Sequence, residues 1–285
     1  MAERINRIKI FGERNTGTNF VEGLLCDNLD IGICPGVLPK TLQRFYKAVS
    51  DTLPYALAWH VVEHDRNCRF KTRFDEHIGW KHARVPNLPK DRDGYPEGLG
   101  FIALTKDPYA WLQSLHHRPY QGKIHSSAHP LTFSEFLRTP WPTVKREHGP
   151  EEYANPVQMW NDKVASYEVL HAYGPALILP YEDIIEDIEG FLTNVCKTFN
   201  LPEPERVEIR ATSTKRDDGR STEEIVRYYR SREWVKNLTA NDLNYINDQL
   251  DHGLRERFGY ARIDTPSTKQ SDMASARESE LATQD

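Results

Sequence analysis

The sequence predicts an α/β fold: a single domain with a central, mostly parallel sheet flanked by helices. Three observations carry that expectation. Short apolar runs at 7–11, 100–105 and 176–179 alternate along the chain with segments whose apolar positions recur at helical spacing. The runs at 100–105 and 176–179 are apolar almost throughout, as strands covered on both faces are. A chain of 285 residues is long enough to bury one substantial core, and no internal repeat divides it.

The alternating run 7–11 stops at Gly12, and from Gly17 to Leu29 the residues Phe20, Val21, Leu24 and Leu25 mark one helical face. Residues 42–49 and 55–65 read as helices separated by Pro54. A short strand is expected at 78–81, and the apolar strand 100–105 precedes a helix at 108–117. Asn155 and Pro156 supply an N-cap and a first-turn proline for a helix running to Tyr173 and closed by Gly174. The strand 176–179 leads to a helix over 187–199. Thr239 and Asp242 form a capping box for the last helix, which ends at Phe258-Gly259. The domain is expected to span 1–261. From 262 to 285 the chain is Ser, Thr, Asp, Glu and Lys with little to bury, and reads as a disordered tail.

A net charge of -5 argues against wholesale nucleic-acid binding, so any anion site must be a local concentration of basic groups. Cys26, Cys34, Cys68 and Cys196 show neither a CxxC pair nor metal-finger spacing, and read as reduced thiols. The N-terminus lacks the apolar stretch of a signal peptide, and no run of 18 apolar residues exists. A cytoplasmic protein with no membrane partner is the expectation; oligomeric state is not legible.

Gly12-Glu13-Arg14-Asn15-Thr16-Gly17-Thr18-Asn19 lies between a strand and a helix, its glycines spaced as in a nucleotide phosphate loop. Backbone N–H groups of such a loop, with the positive end of the following helix, cradle a phosphate; Thr16, Thr18 and Asn19 add donors. In an NTP-hydrolysing loop the second glycine is followed by Lys, whereas Thr18 stands here. Farther on, Lys106 closes a strand and Ser114 sits two turns into the next helix, a cation and a hydroxyl placed to hold a second anion where α/β sheets bind ligands.

These segments together resemble the PAPS-dependent sulfotransferase family, PAPS being 3′-phosphoadenosine 5′-phosphosulfate. Trp80-Lys81-His82-Ala83-Arg84-Val85-Pro86 is similar to the family's Lys-Thr-His strand end, Leu179–Ile184 to its Tyr-Glu-Asp segment, and 251–260 to its last helix. The resemblance implies a P-loop-like sulfotransferase architecture over about residues 5–260. It implies that the first loop takes the phosphosulfate end of PAPS, that Lys106 and Ser114 take the 3′-phosphate, and that Tyr181 touches the adenine. His82 would be the general base and Arg14 would stabilise the departing nucleotide. The sequence departs from the family where Asn15 fills a usually basic position and Lys106 replaces an arginine. The 3′-phosphate site would be completed by a late basic segment, either 214–220 with Lys215 and Arg216, or Arg230-Ser231-Arg232. No metal is demanded.

His60 and His64, four apart on a helix, lack the further ligands a metal needs. Two other classes fit parts of the pattern: a P-loop kinase or nucleotidase, and a nucleotide-binding protein without turnover. The segments 32–71 and 117–153 are the least family-like and are expected to line the acceptor pocket. Their aromatics, histidines and acids suit a compact polar acceptor, a sugar, glycan or nitrogen-rich natural product, taking the sulfuryl group on oxygen or nitrogen.

Overall fold

The computed structural model describes residues 5–72, 78–85, 98–119, 131–209 and 221–265. The chain opens with β1 (Arg7–Gly12), α1 (Thr18–Asn28) and the two-residue β2 (Gly32–Ile33), then a helical hairpin, α2 (Lys40–Thr52) and α3 (Tyr55–Thr72). There follow β3 (Leu99–Thr105), α4 (Pro108–His117) and α5 (Phe133–Arg138). A small antiparallel pair, β4 (Trp141–Pro142) and β5 (Glu152–Tyr153), encloses a 3₁₀ turn at Lys145–Glu147. Next come α6 (Pro156–Ser166), β6 (Ala176–Pro180), α7 (Tyr181–Glu186) and α8 (Ile188–Phe199). The described chain ends with α9 (Thr222–Ser231), α10 (Ala240–Gln249) and α11 (His252–Arg257).

The main sheet runs β2-β1-β3-β6 with every pairing parallel, Ile10 opposite Ile102 and Ala103 opposite Ile178. Alternation along β1 and β3 divides the core in two. Ile8, Ile10, Ile102 and Leu104 pack with Leu24 of α1 and Phe191 of α8. Phe11, Phe101 and Ala103 pack with Trp111 of α4 and Trp160 of α6. All seven residues of β3 are buried, which explains its unbroken apolar composition.

The order of strands positions the site. From β1 the chain goes first to β2 on one side and later to β3 on the other. The connections therefore leave β1 and β3 in opposite directions, opening a crevice at their carboxyl ends. The Gly12 loop and Lys106 both emerge there.

Three expectations change. Residues 78–81 are not a strand: Ile78 and Gly79 have φ of 51° and 78°, left-handed values that no extended strand accommodates. The helix expected to reach Tyr173 stays α-helical only to Ser166 and tightens into a 3₁₀ helix over Tyr167–Ala172. The single last helix is two. It stops at Gln249, and Asp251 caps a new one, accepting from the Leu254 N–H at 3.0 Å. Among the described residues no helix is long and apolar enough to cross a membrane. Residues 266–285, most of the expected tail, lie outside the described residues, while Ile263 packs against the core.

Candidate functional site

The loop from Gly12 to Gly17 is shaped by close approach. A Cβ on Gly17 would stand 2.3 Å from the Tyr181 ring, and at φ 82° it would also be strained. A Cβ on Gly12 would meet Thr16 Oγ1 and Thr18 Cγ2 at 2.7 Å. Asn15 is left-handed too, at φ 66°, a conformation that Asn tolerates better than Lys or Arg. α1 begins at Gly17 without a side-chain cap, as α2 and α7 do at Pro39 and Pro180, whereas α4, α5 and α6 each have one. An uncapped helix start behind a glycine loop is suited to an anion. Thr16, buried, donates its hydroxyl to the Glu13 carbonyl at 2.6 Å and so braces the loop from within. Thr18 is also buried, and Asn19 is exposed.

Beneath the loop lies a buried ion cluster. Lys163 of α6, 2% exposed at its side chain, donates to Glu13 Oε2, to Glu147 Oε2 at 2.6 Å and to the His82 carbonyl at 3.1 Å. Burial alone would push the Lys163 pKa down; the two carboxylates outweigh it and hold it above the usual value, so the ammonium stays charged. Glu13 Oε1 accepts from the Arg14 N–H at 2.7 Å, fixing the next loop residue.

His82 is buried against the first loop residue, its Nδ1 2.7 Å from the Gly12 carbonyl. A carbonyl only accepts, so Nδ1 carries the proton and Nε2 keeps its lone pair. Burial, then the charges of Arg14 and Lys81, push the imidazole well below its usual pKa and keep it neutral. The Trp80 ring meets His82 edge-on at 5.2 Å, and the Arg14 guanidinium carbon lies 5.4 Å from the same indole. Trp111 Nε1 donates to the Arg14 carbonyl at 2.9 Å, so α4 also grips the loop. Lys81, itself buried, donates to Asn19 Oδ1 at 2.7 Å.

The second expected cluster is assembled from β3, α4 and the loop. Lys106 Nζ donates to Ser114 Oγ at 3.0 Å and to the Asn15 carbonyl at 3.2 Å, and sits 4.8 Å from the Tyr229 ring centre. The Asn15 amide donates in turn to the Ser114 carbonyl at 3.3 Å. Burial lowers the Lys106 pKa, while the nearby Glu182 carboxylate works to raise it. Burial drives the Glu182 pKa up to about 7 and that of Asp107, the α4 cap, to about 6. Tyr181, buried, packs between Gly17, Phe20 and Tyr229.

Arg14, Asn15, Gly17, His82, Lys106, Ser114 and Tyr181 thus gather around the glycine loop at the carboxyl ends of β1 and β3. Lys215 and Arg216 lie outside the described residues. In the other late basic segment Arg230 pairs with Glu186 at 2.6 Å on the surface, and Arg232 caps α9. Sequence reasoning missed Lys163, Glu147 and Tyr229, and placed Trp80 and Lys81 in a motif without giving either a role. One signal existed for Lys163: it lies three residues after Trp160 and four before Tyr167, on the apolar face of its helix.

No model of a known family matches the chain, and no curated protein matches it. Among solved structures the chain is similar to a sulfotransferase domain from the Synechococcus PCC 7002 olefin synthase. The identity is 15%, coverage 93% of this chain and 98% of that one, and the TM-score 0.41. It is similar to a sulfotransferase domain from the curacin biosynthetic pathway at 12% identity, covering 98% and 99%, TM-score 0.41. It is also similar to a sulfotransferase from Alicyclobacillus acidocaldarius at 14% identity, covering 90% and 100%, TM-score 0.39.

Proposed function

We propose that the protein is a sulfotransferase that moves a sulfuryl group from PAPS to a hydroxyl or an amine- or guanidine-type nitrogen of a small polar acceptor. The observation that carries this reading is the pairing of two features on one glycine loop. One is a glycine loop at an uncapped helix start, with a neutral, buried histidine bonded to its first carbonyl. The other is a buried lysine that ties the same loop to Ser114. The first suits a phosphosulfate and a proton acceptor, the second a separate phosphate.

The donor is a substrate, and the residues fit it. The loop N–H groups, the α1 dipole and Arg14 hold the 5′ end, and Lys106 with Ser114 holds the 3′-phosphate. His82 Nε2 takes the proton from the acceptor as its oxygen or nitrogen bonds to sulfur. The bond from sulfur to the bridging oxygen breaks, and the negative charge left on adenosine 3′,5′-bisphosphate falls to Arg14 and the loop N–H groups. Tyr181, wedged against Gly17, gives the adenine an aromatic neighbour. A kinase-type reading lacks its loop lysine, since Thr18 holds that position.

Calorimetric titration with adenosine 3′,5′-bisphosphate, AMP and magnesium-ATP tests the reading, in the parent and in Lys106→Ala. The expected result is binding that requires the 3′-phosphate and weakens about 10- to 100-fold in the variant, the loss of one charge-assisted phosphate contact. A preference for magnesium-ATP would sink it.

A further inference from the structure

A carboxylate in the middle of a phosphate loop is an electrostatic contradiction. Glu13 follows the first glycine directly, and unpaired it would repel the anion the loop is shaped to hold. The chain buries Glu13 and brings Lys163 to it from a helix 150 positions later. Buried ion clusters of this kind seldom add net stability, because the desolvation of three charges offsets most of their attraction. Stability alone is therefore a poor reason for having one here. Its contacts point elsewhere: one ammonium reaches the loop through Glu13 and the backbone of His82 through its carbonyl. The opposite carboxylate, Glu147, is fixed by its own turn, its Oε1 accepting from the Val144 N–H at 3.3 Å.

We propose that Lys163 is a positioning residue that makes the loop competent for an anion by cancelling the charge of Glu13. The inference rests on the reading of the Gly12–Gly17 loop as a phosphate site. It assigns Lys163 no contact with the substrate. It also accounts for a lysine on the apolar face of α6, which the core by itself does not need.

Lys163→Met alone leaves two buried carboxylates facing each other and is a poor reporter if it fails to fold. Two other variants isolate the charge of Glu13. Lys163→Met with Glu147→Gln leaves Glu13 as the one charge of the cluster. Adding Glu13→Gln neutralises all three positions at nearly constant volume and keeps an oxygen to accept from the Arg14 N–H. Affinity is read with adenosine 3′,5′-bisphosphate and, for the loop alone, with inorganic pyrophosphate; thermal midpoints are recorded beside it. The double variant is expected to bind about tenfold more weakly than the parent, and the triple variant to recover to within about threefold of it. Equal affinity in the double and triple variants, even with altered midpoints, would reduce Lys163 to a packing role and overturn the proposal. A parent that binds neither probe would overturn the phosphate-loop reading itself, and this inference with it.

Discussion

At the carboxyl ends of β1 and β3, charged side chains are inside the protein: Lys106, Lys163, Glu13 and His82 are each at most 9% exposed. On the α2–α3 hairpin the arrangement is reversed. Phe45, Leu57 and Val61 are 60%, 52% and 50% exposed, and a cleft of about 600 Å³ runs between the two helices beside Phe45, Val49 and Val61. Along its outer face an ion pair such as Lys47 with Asp51 is on the surface, where it contributes little, while on the inner face Glu63 is buried against Arg146. The first region is fixed by buried polar bonds that tolerate little displacement; the second is anchored on its inner side by Glu63 and Asn67, which bind Arg146, and exposes apolar surface on its outer side. On the function proposed above, that division assigns the transfer chemistry to the first region and acceptor recognition to the second. The two regions meet at Trp80, which packs with Tyr46 and Val62 of the hairpin and touches His82 and Arg14 on the other side. Arg146, paired with Glu63 of α3, lies 4.6 Å from the same indole.

The comparison can be sharpened by substitutions whose effects should fall off from the first region to the second. His82→Asn is expected to lower the transfer rate by about 10²- to 10⁴-fold, the usual contribution of a general base, with little change in nucleotide affinity. The pH profile of the parent adds a sign. The imidazole pKa is depressed, so His82 is neutral above it and becomes charged only as pH falls through it. At saturating nucleotide the transfer rate should show no His82 ionisation from pH 8 down past 6.5. Because Glu182 and Asp107 titrate at about 7 and about 6, a steep fall between 7 and 6 would contradict the buried, neutral His82 only if it persists in Glu182→Gln and Asp107→Asn. Gly17→Ala should destabilise the fold by about 2 kcal/mol or more and abolish nucleotide binding, because the new methyl meets the Tyr181 ring at a positive φ. Denaturant unfolding measures the first effect and titration the second. Phe45→Ser should be the mildest, within about 0.5 kcal/mol of parent stability and neutral for nucleotide affinity, yet shifting the KM for the acceptor. A loss of nucleotide binding in Phe45→Ser would break the separation of the two regions.

Much of the first region was legible in the chain. The glycine spacing, the apolar β3 and the pair Lys106–Ser114 are local patterns, and the structure brings that pair within 3.0 Å. The short β2, the β4–β5 pair and α9 were not read, since two-residue strands carry no periodicity and α9 follows a polar stretch. The strand expected at 78–81 failed because Ile-Gly-Trp-Lys alternates like a strand, while its glycine marked the turn that Gly79 makes.

The sequence by itself determined the strands β1, β3 and β6, the glycine loop after β1 and the closeness of Lys106 to Ser114, because each depends on residues close together in the chain. Tertiary structure decided the rest. It drew Lys163, Glu13, Glu147 and His82 from four distant segments into one buried cluster. It also made His82 neutral and kept Lys163 charged, since a pKa is set by burial and by neighbouring charge, neither of which is written at the position of the residue itself.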